Sequence, residues 1–270
     1  MTHDRPGEII PDGHAGAIVM LDGQPQSHVS VTDPTDLGFE YVELMATALD
    51  TYAVGLAPPR TVTHVGGAGL TLPRWVQHRW PGTPQVVLEP DAALTELVRR
   101  ELPLPRGHRI RVRAVDGRRG LAALAPASAE VIVVDAYAQG CVPAELAGIE
   151  WWRDVARVLA PSGMLLANLA DEPDRRWTGR VVGGVVEAGL TEVDLLGTHD
   201  VLKGRRFGNL VLVARRPGVV AGPELARAVA RGTLRAGTRR PGPAAYGKGF
   251  SDADAEPSPP PPDLGRWRLR

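Results

Sequence analysis

A regular alternation of short apolar runs with longer stretches of helical spacing constrains this chain more than any other feature. The alternation extends from about residue 60 to residue 215 of the 270-residue sequence. The run Val131–Val134 is apolar at every position, which predicts a strand whose sheet is covered on both faces. Alternating strands and helices predict a parallel, doubly wound sheet. The expected fold class is therefore α/β and Rossmann-like, with seven strands in the sheet.

The predicted elements follow from apolar spacing and from turn residues. Strands are predicted at 61–65, 85–88, 109–114, 130–135, 163–169, 192–197 and 209–214. Helices are predicted at 70–80, 91–101, 118–124, 144–159 and 176–188. The last two strands are too close in sequence for a crossover helix, so we expect them to form an antiparallel hairpin at one edge of the sheet.

Three regions are predicted along the chain. Residues 1–55 hold an N-terminal arm, a β-hairpin turning at Asp22-Gly23 and a helix over 36–52. Residues 56–216 form the predicted α/β domain. Residues 217–270 are a Pro- and Arg-rich tail with a short helix at 223–231. Because this composition buries little apolar surface, we expect the part after about Gly232 to add little to the core.

Composition excludes several classes of site. The 31 basic residues are balanced by 31 acidic ones, so the net charge gives no support for nucleic-acid binding. The single cysteine, Cys141, excludes an internal disulfide and a cysteine zinc site, and the scattered histidines predict no metal site. No apolar run reaches the roughly 18 residues of a membrane span, and no signal segment is evident, so a cytoplasmic protein without a membrane partner is expected.

Glycines and acids stand where successive predicted strands end. Gly66, Gly67 and Gly69 follow the first strand of the domain, and Glu89, Asp116-Gly117 and Asp135 follow the next three. Ligands of open α/β sheets bind outside the carboxyl ends of the strands, so this pattern predicts a nucleoside-containing ligand. Each residue alone also has a structural interpretation: a tight packing turn for the glycines, and helix or loop capping for Glu89, Asp116 and Asp135.

The type of nucleoside ligand follows from two details. A dinucleotide fingerprint requires a third glycine, whereas Gly67-Ala-Gly69 is followed by Leu70, Thr71 and Leu72. The antiparallel pair predicted at the end of the domain is typical of the S-adenosylmethionine-binding variant of this fold. We therefore expect a ligand of the S-adenosylmethionine type rather than a dinucleotide.

From about residue 16 to residue 215, the chain resembles the spermidine synthase-like (polyamine aminopropyltransferase) family, and most closely its divergent actinobacterial-type members. The resemblance depends on motifs in the family's order. They are Val19–Gly23 with Gln26, Tyr41–Glu43, Val65–Gly69, Leu88–Asp91, Val115–Gly117, Val134–Tyr137, Asn168 with Asp171, and Gly208–Val213.

The resemblance implies that residues 56–216 are a nucleoside-binding catalytic domain that transfers an aminopropyl group from decarboxylated S-adenosylmethionine to an amine. The co-substrate would be that decarboxylated form or S-adenosylmethionine itself. The resemblance also implies a role for each matching position. Glu89 would hold the ribose, Asp116 and Gly117 the adenine edge, and Gly66, Gly67 and Gly69 the methionine-derived portion. Asp135 would be the catalytic carboxylate, a general base for an amine that attacks the carbon beside a sulfonium. The sulfonium is already a good leaving group, so no metal is needed. The small-molecule amine would meet Gln26, Tyr41, Glu43 and Tyr137. A homodimer through the N-terminal strands is compatible with the resemblance.

The chain departs from the family where the amine's charges are bound. Gly69 stands where the family carries an Asp, Ala138 replaces the second Asp of the catalytic loop, and Val42 and Thr47 replace histidines. We therefore expect weak activity on putrescine and a preference for a less cationic or bulkier amine. Methyl transfer from S-adenosylmethionine itself is one alternative. A non-catalytic nucleoside-binding homologue is another.

Overall fold

A three-stranded antiparallel sheet lies at the N-terminal end of the chain. The computed structural model describes residues 7–13, 15–52, 57–219 and 223–262. The small sheet has the order β1 (Glu8–Pro11), β2 (Gly16–Leu21) and β3 (Gln24–Ser30). Asp22 and Gly23 turn between β2 and β3 with positive φ angles of 51° and 75°. The hairpin predicted at Asp22-Gly23 is confirmed.

The large sheet is mixed and mostly parallel. Its strands are β4 (Val62–Val65), β5 (Gln85–Leu88), β6 (Ile110–Arg113), β7 (Ala129–Val134), β8 (Leu159–Asp171), β9 (Glu192–Thr198), β10 (Gly208–Arg215) and β11 (Ala236–Arg239). Among the described residues they lie in the order β11-β9-β10-β8-β7-β4-β5-β6. Strands β4 to β8 pair in parallel, and β10 pairs antiparallel with both β8 and β9. The α/β fold class is confirmed.

Helices cover the sheet on both faces. They are α1 (Glu40–Tyr52), α2 (Thr71–Arg79), α3 (Ala92–Glu101), α4 (Gly117–Ala122), α5 (Ile149–Val158), α6 (Arg176–Glu187), α7 (His199–Leu202) and α8 (Pro223–Arg231). Val131 and Val133 pack in a core with α1, α2 and α8, whereas Ile132 and Val134 pack in a second core with α5 and α6. This alternation explains why β7 is apolar at every position.

The predicted edge of the sheet needs correction. Among the described residues the sheet has eight strands rather than the predicted seven, because β11 from the predicted tail pairs antiparallel with β9. The β9–β10 pair is antiparallel as predicted, but β10 lies between β8 and β9 and neither strand is at the edge. A short edge strand such as β11 is held by main-chain hydrogen bonds to its neighbour and does not require an apolar pattern. The apolar spacing of the sequence therefore did not predict this strand.

The expectation that the tail adds little to the core is wrong. Phe250 is only 2% exposed and Ser258 only 1% exposed. The Phe250 ring lies 6.5 Å from the Trp177 ring and beneath the Arg180 guanidinium. Isolated anchors of this kind hold an extended segment in place although its overall composition is polar and rich in proline.

Candidate active site

The predicted strand-end residues meet at one edge of the large sheet. Strands β7, β4, β5 and β6 are neighbours and parallel, so their carboxyl ends lie side by side. The strand order reverses at β4, which has β5 on one side and β7 on the other. In doubly wound sheets, ligands bind at this switch point. The turn after β4 and Asp135 after β7 lie on either side of it.

The glycine turn after β4 packs directly against the loop after β7. Gly66 has a φ of 79°, and a Cβ there would lie 2.2 Å from the Asp135 carbonyl oxygen. The Gly66 N–H donates to the Leu88 carbonyl at 2.9 Å. Only glycine allows this approach and this φ, so Gly66 permits the turn after β4 and the loop after β7 to lie in contact.

Asp135 is a half-buried carboxylate with two side-chain donors. The Asn168 amide donates to Oδ1 at 3.0 Å, and the Tyr41 hydroxyl donates to Oδ2 at 3.3 Å. Burial raises the pKa of the Asp135 carboxyl above its ordinary value, and the hydrogen bonds from Asn168 and Tyr41 oppose that rise. A carboxylate of this kind can both orient an amine and accept a proton from it.

Two asparagines that the sequence analysis did not assign to the site connect Asp135 to Tyr137. Asn209 donates to the Asn168 side-chain oxygen at 3.0 Å and to the Tyr137 hydroxyl at 3.3 Å. Asn168 is 2% exposed within β8, where the other buried polar side chain is Asp171 at the end of the strand. A single amide in an apolar strand is a sequence signal, because buried polar groups need partners. That signal could have identified Asn168.

A small cavity lies beside Asp135. It is lined by Ser27, Phe39, Tyr41, Val42, His64, Gly66, Gly67, Thr71, Leu72, Pro73, Val133 and Asp135. Its enclosed volume is about 20 Å³, little more than one water molecule. Burial lowers the pKa of His64 to about 4, so its ring is neutral at pH 7. Among these lining residues, Asp135 is the only carboxylate.

A larger pocket, of about 600 Å³, lies between the small sheet and α3. It is lined by residues such as Ile9, Ile10 and Leu97, and by none of the strand-end residues. We place the candidate active site at the smaller cavity, because position at the switch point and convergent polar groups are better guides than volume.

Glu89 follows β5, and Asp116 and Gly117 follow β6. These two strands lie on the opposite side of β4 from β7 and Asp135. The Glu89 carboxylate accepts from the Asp91 N–H at 3.1 Å and from the Ala68 N–H at 3.4 Å. It therefore links the glycine turn to the start of α3. Asp116 caps α4 by accepting from the Arg119 N–H at 2.8 Å. A Cβ on Gly117 would lie 2.3 Å from Val65 Cγ1, so this glycine permits close packing.

The remaining predicted substrate residues differ in where they lie. Tyr41 lines the cavity. Tyr137 does not line it, but its hydroxyl accepts from Asn209, which also donates to Asn168. Gln26 is half-buried on β3 but does not line the cavity, whereas its neighbour Ser27 does. The Glu43 carboxylate accepts from the Thr233 hydroxyl at 3.3 Å and does not line the cavity either.

Gly69 faces the N-terminal hairpin. A Cβ there would lie 2.7 Å from Val29 Cγ2 and 2.8 Å from Ser27 Cβ. The Gly69 N–H donates to the Ser27 hydroxyl at 3.1 Å. The hairpin thus occupies the space that a side chain at position 69 would need.

Two further features of the described residues bear on the site. No group of three or more histidine, cysteine, aspartate or glutamate side chains in the described part of the chain is placed to hold a metal ion. Within the same ranges, no helix has the length and apolarity that a membrane crossing requires.

Comparison with known proteins gives similarity at the level of structure. No family model and no curated protein matches the chain. A probable spermidine synthase from Corynebacterium glutamicum ATCC 13032 superposes with a TM-score of 0.79 at 27% identity, over 88% of this chain and 89% of that one. The spermidine synthase of Thermotoga maritima superposes with a TM-score of 0.62 at 16% identity, over 85% of this chain and 76% of that one.

Two ligand-bound structures share the fold. One is a spermidine synthase in complex with the transition-state analogue AdoDATO, with a TM-score of 0.59, 16% identity and coverage of 83% of this chain and 73% of that one. The other is human methyltransferase-like protein 13 in complex with SAH, with a TM-score of 0.54, 21% identity and coverage of 68% and 88%. The chain thus has the fold that these synthases share with class I S-adenosylmethionine-dependent methyltransferases, and the first neighbour's 27% identity over most of both chains supports a spermidine synthase-like family.

Proposed function

We propose that this chain is a transferase that moves an aminopropyl group from decarboxylated S-adenosylmethionine to an amine, with Asp135 as the general base. The observation that supports this most directly is the half-buried Asp135 carboxylate at the switch point, held by Tyr41 and Asn168 beside the glycine turn. The structural neighbours include a spermidine synthase bound to AdoDATO, which agrees with a ligand of this type.

The residues present suit a sulfonium nucleoside. Glu89 offers carboxylate oxygens at the end of β5, and each such oxygen can accept more than one hydrogen bond, as a ribose diol requires. Asp116 and Gly117 would border the adenine at the end of β6. Gly66 and Gly67 line the cavity with Asp135, so the reactive end of the ligand would lie beside that carboxylate.

The proposed reaction is a single displacement. The acceptor amine nitrogen forms a bond to the carbon beside the sulfonium, and the carbon–sulfur bond breaks with its electron pair passing to sulfur. The products are the alkylated amine and methylthioadenosine. Asp135 takes the proton that the amine loses, and Tyr41 and Asn168 keep its two oxygens oriented.

The cavity indicates a weakly charged acceptor. Asp135 is the only carboxylate among the lining residues, and Phe39, Val42, Leu72, Pro73 and Val133 supply an apolar wall. A polyamine with several ammonium groups would leave buried cations without partners, which is costly. We therefore propose an acceptor with one ammonium and an apolar remainder, and we expect such monoamines to be used at least tenfold more efficiently than putrescine.

Methyl transfer is the second candidate. One observation favours it: the hairpin residues Ser27 and Val29 fill the space beside Gly69, so no acid at that position can bind the ammonium of a transferred aminopropyl chain. In that case S-adenosylmethionine itself would be the donor. A nucleoside-binding protein without turnover is the third candidate.

Product analysis separates these functions. The purified chain is incubated with either donor and a panel containing monoamines, putrescine and no amine. Amine-dependent release of methylthioadenosine from the decarboxylated donor supports aminopropyl transfer, and release of S-adenosylhomocysteine supports methyl transfer. The same assay on Asp135→Asn tests the general base. Asp50→Asn is its matched control, because Asp50 pairs with Arg79 on the surface. Nucleoside binding with no product from any amine would contradict both transferase proposals.

A further inference from the structure

The chain between Phe250 and Ser258, which we term the C-terminal strap, crosses α5 and α6 and ends on the loop that follows Asp135. The strap is attached at several points along its length. The Ile149 N–H donates to the Phe250 carbonyl at 2.7 Å, and the Trp177 indole donates to the Glu256 carbonyl at 2.9 Å. Arg118 pairs with Asp252. The strap is thus a fixed part of this face of the molecule.

Ser258 bonds the loop through both its main chain and its side chain. Its hydroxyl accepts from the Val142 N–H at 2.9 Å, and its own N–H donates to the Val142 carbonyl at 3.0 Å. Ser258 is 1% exposed and Val142 is 2% exposed, so neither pair of groups can exchange its partner for water.

The loop that Ser258 holds is short and closes on itself. Ala138 and Cys141 exchange two main-chain hydrogen bonds, of 2.8 and 3.1 Å, around Gln139 and Gly140, which have positive φ angles. The residue immediately before this turn is Tyr137, whose hydroxyl contacts Asn209 at 3.3 Å. Because these two hydrogen bonds tie residue 138 to residue 141, anchoring the loop at Val142 also restrains the positions of Tyr137 and Asp135.

We propose that Ser258 is a positioning residue for the amine site, which it controls by anchoring the loop 135–142 from the C-terminal strap. The inference rests on the function proposed above, because it assumes that this loop faces the amine. Ser258 itself does not line the cavity beside Asp135. Its effect passes through Val142 and the turn to Tyr137 and Asp135.

Three substitutions in the full chain test the proposal. Ser258→Ala removes the acceptor of the Val142 N–H, and Ser258→Thr keeps it. Ser251→Ala is the matched control, since the Ser251 hydroxyl bonds only Asp254 within the strap among the contacts of the described residues. For each variant, we would measure four quantities: methylthioadenosine affinity, affinity for a monoamine with methylthioadenosine bound, amide hydrogen exchange at residues 136–142, and the thermal midpoint of unfolding.

The proposal expects a selective loss. Ser258→Ala should exchange faster at the loop and bind the monoamine about tenfold more weakly, with methylthioadenosine affinity within twofold of wild type. Ser258→Thr should restore both properties, and Ser251→Ala should change neither.

Three results would overturn the proposal. The first is faster exchange with unchanged amine affinity, and the second is an equal loss of both affinities with a lower thermal midpoint, which would make Ser258 merely structural. The third is a Ser258→Thr variant that stays impaired. If the wild-type chain binds methylthioadenosine but no amine, the proposed function fails first, and the positioning role fails with it.

Discussion

At the scale of single residues, the site depends on a few polar groups in an apolar setting. Asp135 is held by Tyr41 and Asn168, and Asn168 is held in turn by Asn209. Each member has its partner within the network, which is the condition under which buried polar groups become rigid. The network fixes the orientation of the carboxylate before any substrate arrives.

Glu89→Ala should weaken methylthioadenosine binding by about 1–3 kcal/mol, because ribose hydroxyls would then be left unpaired in a partly buried site. Calorimetry on the wild type and the variant measures this. Because Glu89 also accepts from the Ala68 and Asp91 N–H groups, Glu89→Gln is the control that keeps an acceptor. Equal affinity in Glu89→Ala and wild type would remove Glu89 from the nucleoside site, and loss of folding would make it structural.

Gly69→Ala should destabilise the protein by about 1–3 kcal/mol, because its Cβ would overlap the hairpin residues Val29 and Ser27. Urea unfolding gives the change in free energy. Gly242→Ala is the control, since no heavy atom lies within 4 Å of a Cβ there and its φ is −77°. A Gly69→Ala variant as stable as wild type would mean that the hairpin yields, and an acid at this position would then be possible.

The raised pKa of Asp135 makes a prediction about stability and pH. Burial raises this pKa in the folded state, so the folded protein binds the proton more tightly than the unfolded chain does. Above the raised pKa, the wild type carries the cost of a buried carboxylate, and Asp135→Asn avoids it. Unfolding free energies should therefore favour Asp135→Asn at pH 7. Its advantage should shrink as pH falls through the raised pKa and vanish below about 4, the ordinary value. An advantage that grows on acidification would contradict the assigned direction.

At the scale of elements, the C-terminal segment is a structural part of the domain. Strand β11 closes the β9 edge of the sheet, and the strap packs Phe250 against Trp177 and Arg180. The β9 edge is thereby paired rather than exposed, which protects it from pairing with other chains.

Phe250→Ala should cost about 3–5 kcal/mol of unfolding free energy, the usual cost of truncating a fully buried aromatic ring. Denaturant unfolding of the full chain measures it. Lys248→Ala, an exposed position two residues earlier, should stay within about 0.5 kcal/mol of wild type. A loss below about 1 kcal/mol for Phe250→Ala would show that the ring is less well packed than its 2% exposure indicates.

The elements that could be predicted from the sequence are those whose pattern is local. The strand Gln85–Leu88 and the helix Pro223–Arg231 occur with the predicted bounds, because apolar spacing and flanking turn residues mark them. Strand β11 and the strap could not be predicted. Ala236–Arg239 carries no strand pattern, and its pairing with β9 is a contact distant in sequence.

For the candidate site too, local patterns could be predicted from the sequence and contacts distant in sequence could not. Acids and glycines at strand ends predict the edge of the sheet where a ligand is expected, because the carboxyl ends of parallel strands lie together. Asn168 and Asn209 were not assigned, since their roles depend on β8 and β10 pairing side by side. The blocked space at Gly69 depends on a hairpin some 40 residues earlier, which packs there only in the folded chain.

At the scale of the whole molecule, the N-terminal sheet packs against one side of the candidate site through β3, and β1 forms the opposite edge of that sheet. Ser27 of β3 reaches Gly69, whereas Ile10 of β1 is 42% exposed. A homodimer through these strands stays a prediction. In a monomer, the sheet shapes the cavity by itself, because Ser27 lines it from the same chain.

The central claim is that Asp135 acts in chemistry and is not needed to hold the nucleoside. The decisive measurement is the rate of methylthioadenosine release from the decarboxylated donor by Asp135→Asn at saturating amine, with methylthioadenosine affinity measured on the same preparation. The account predicts a rate lower by about 10²–10⁴-fold, the usual contribution of a general base, at nearly unchanged affinity. A variant that keeps more than about a tenth of the wild-type rate would contradict the claim, because a general base contributes more than that.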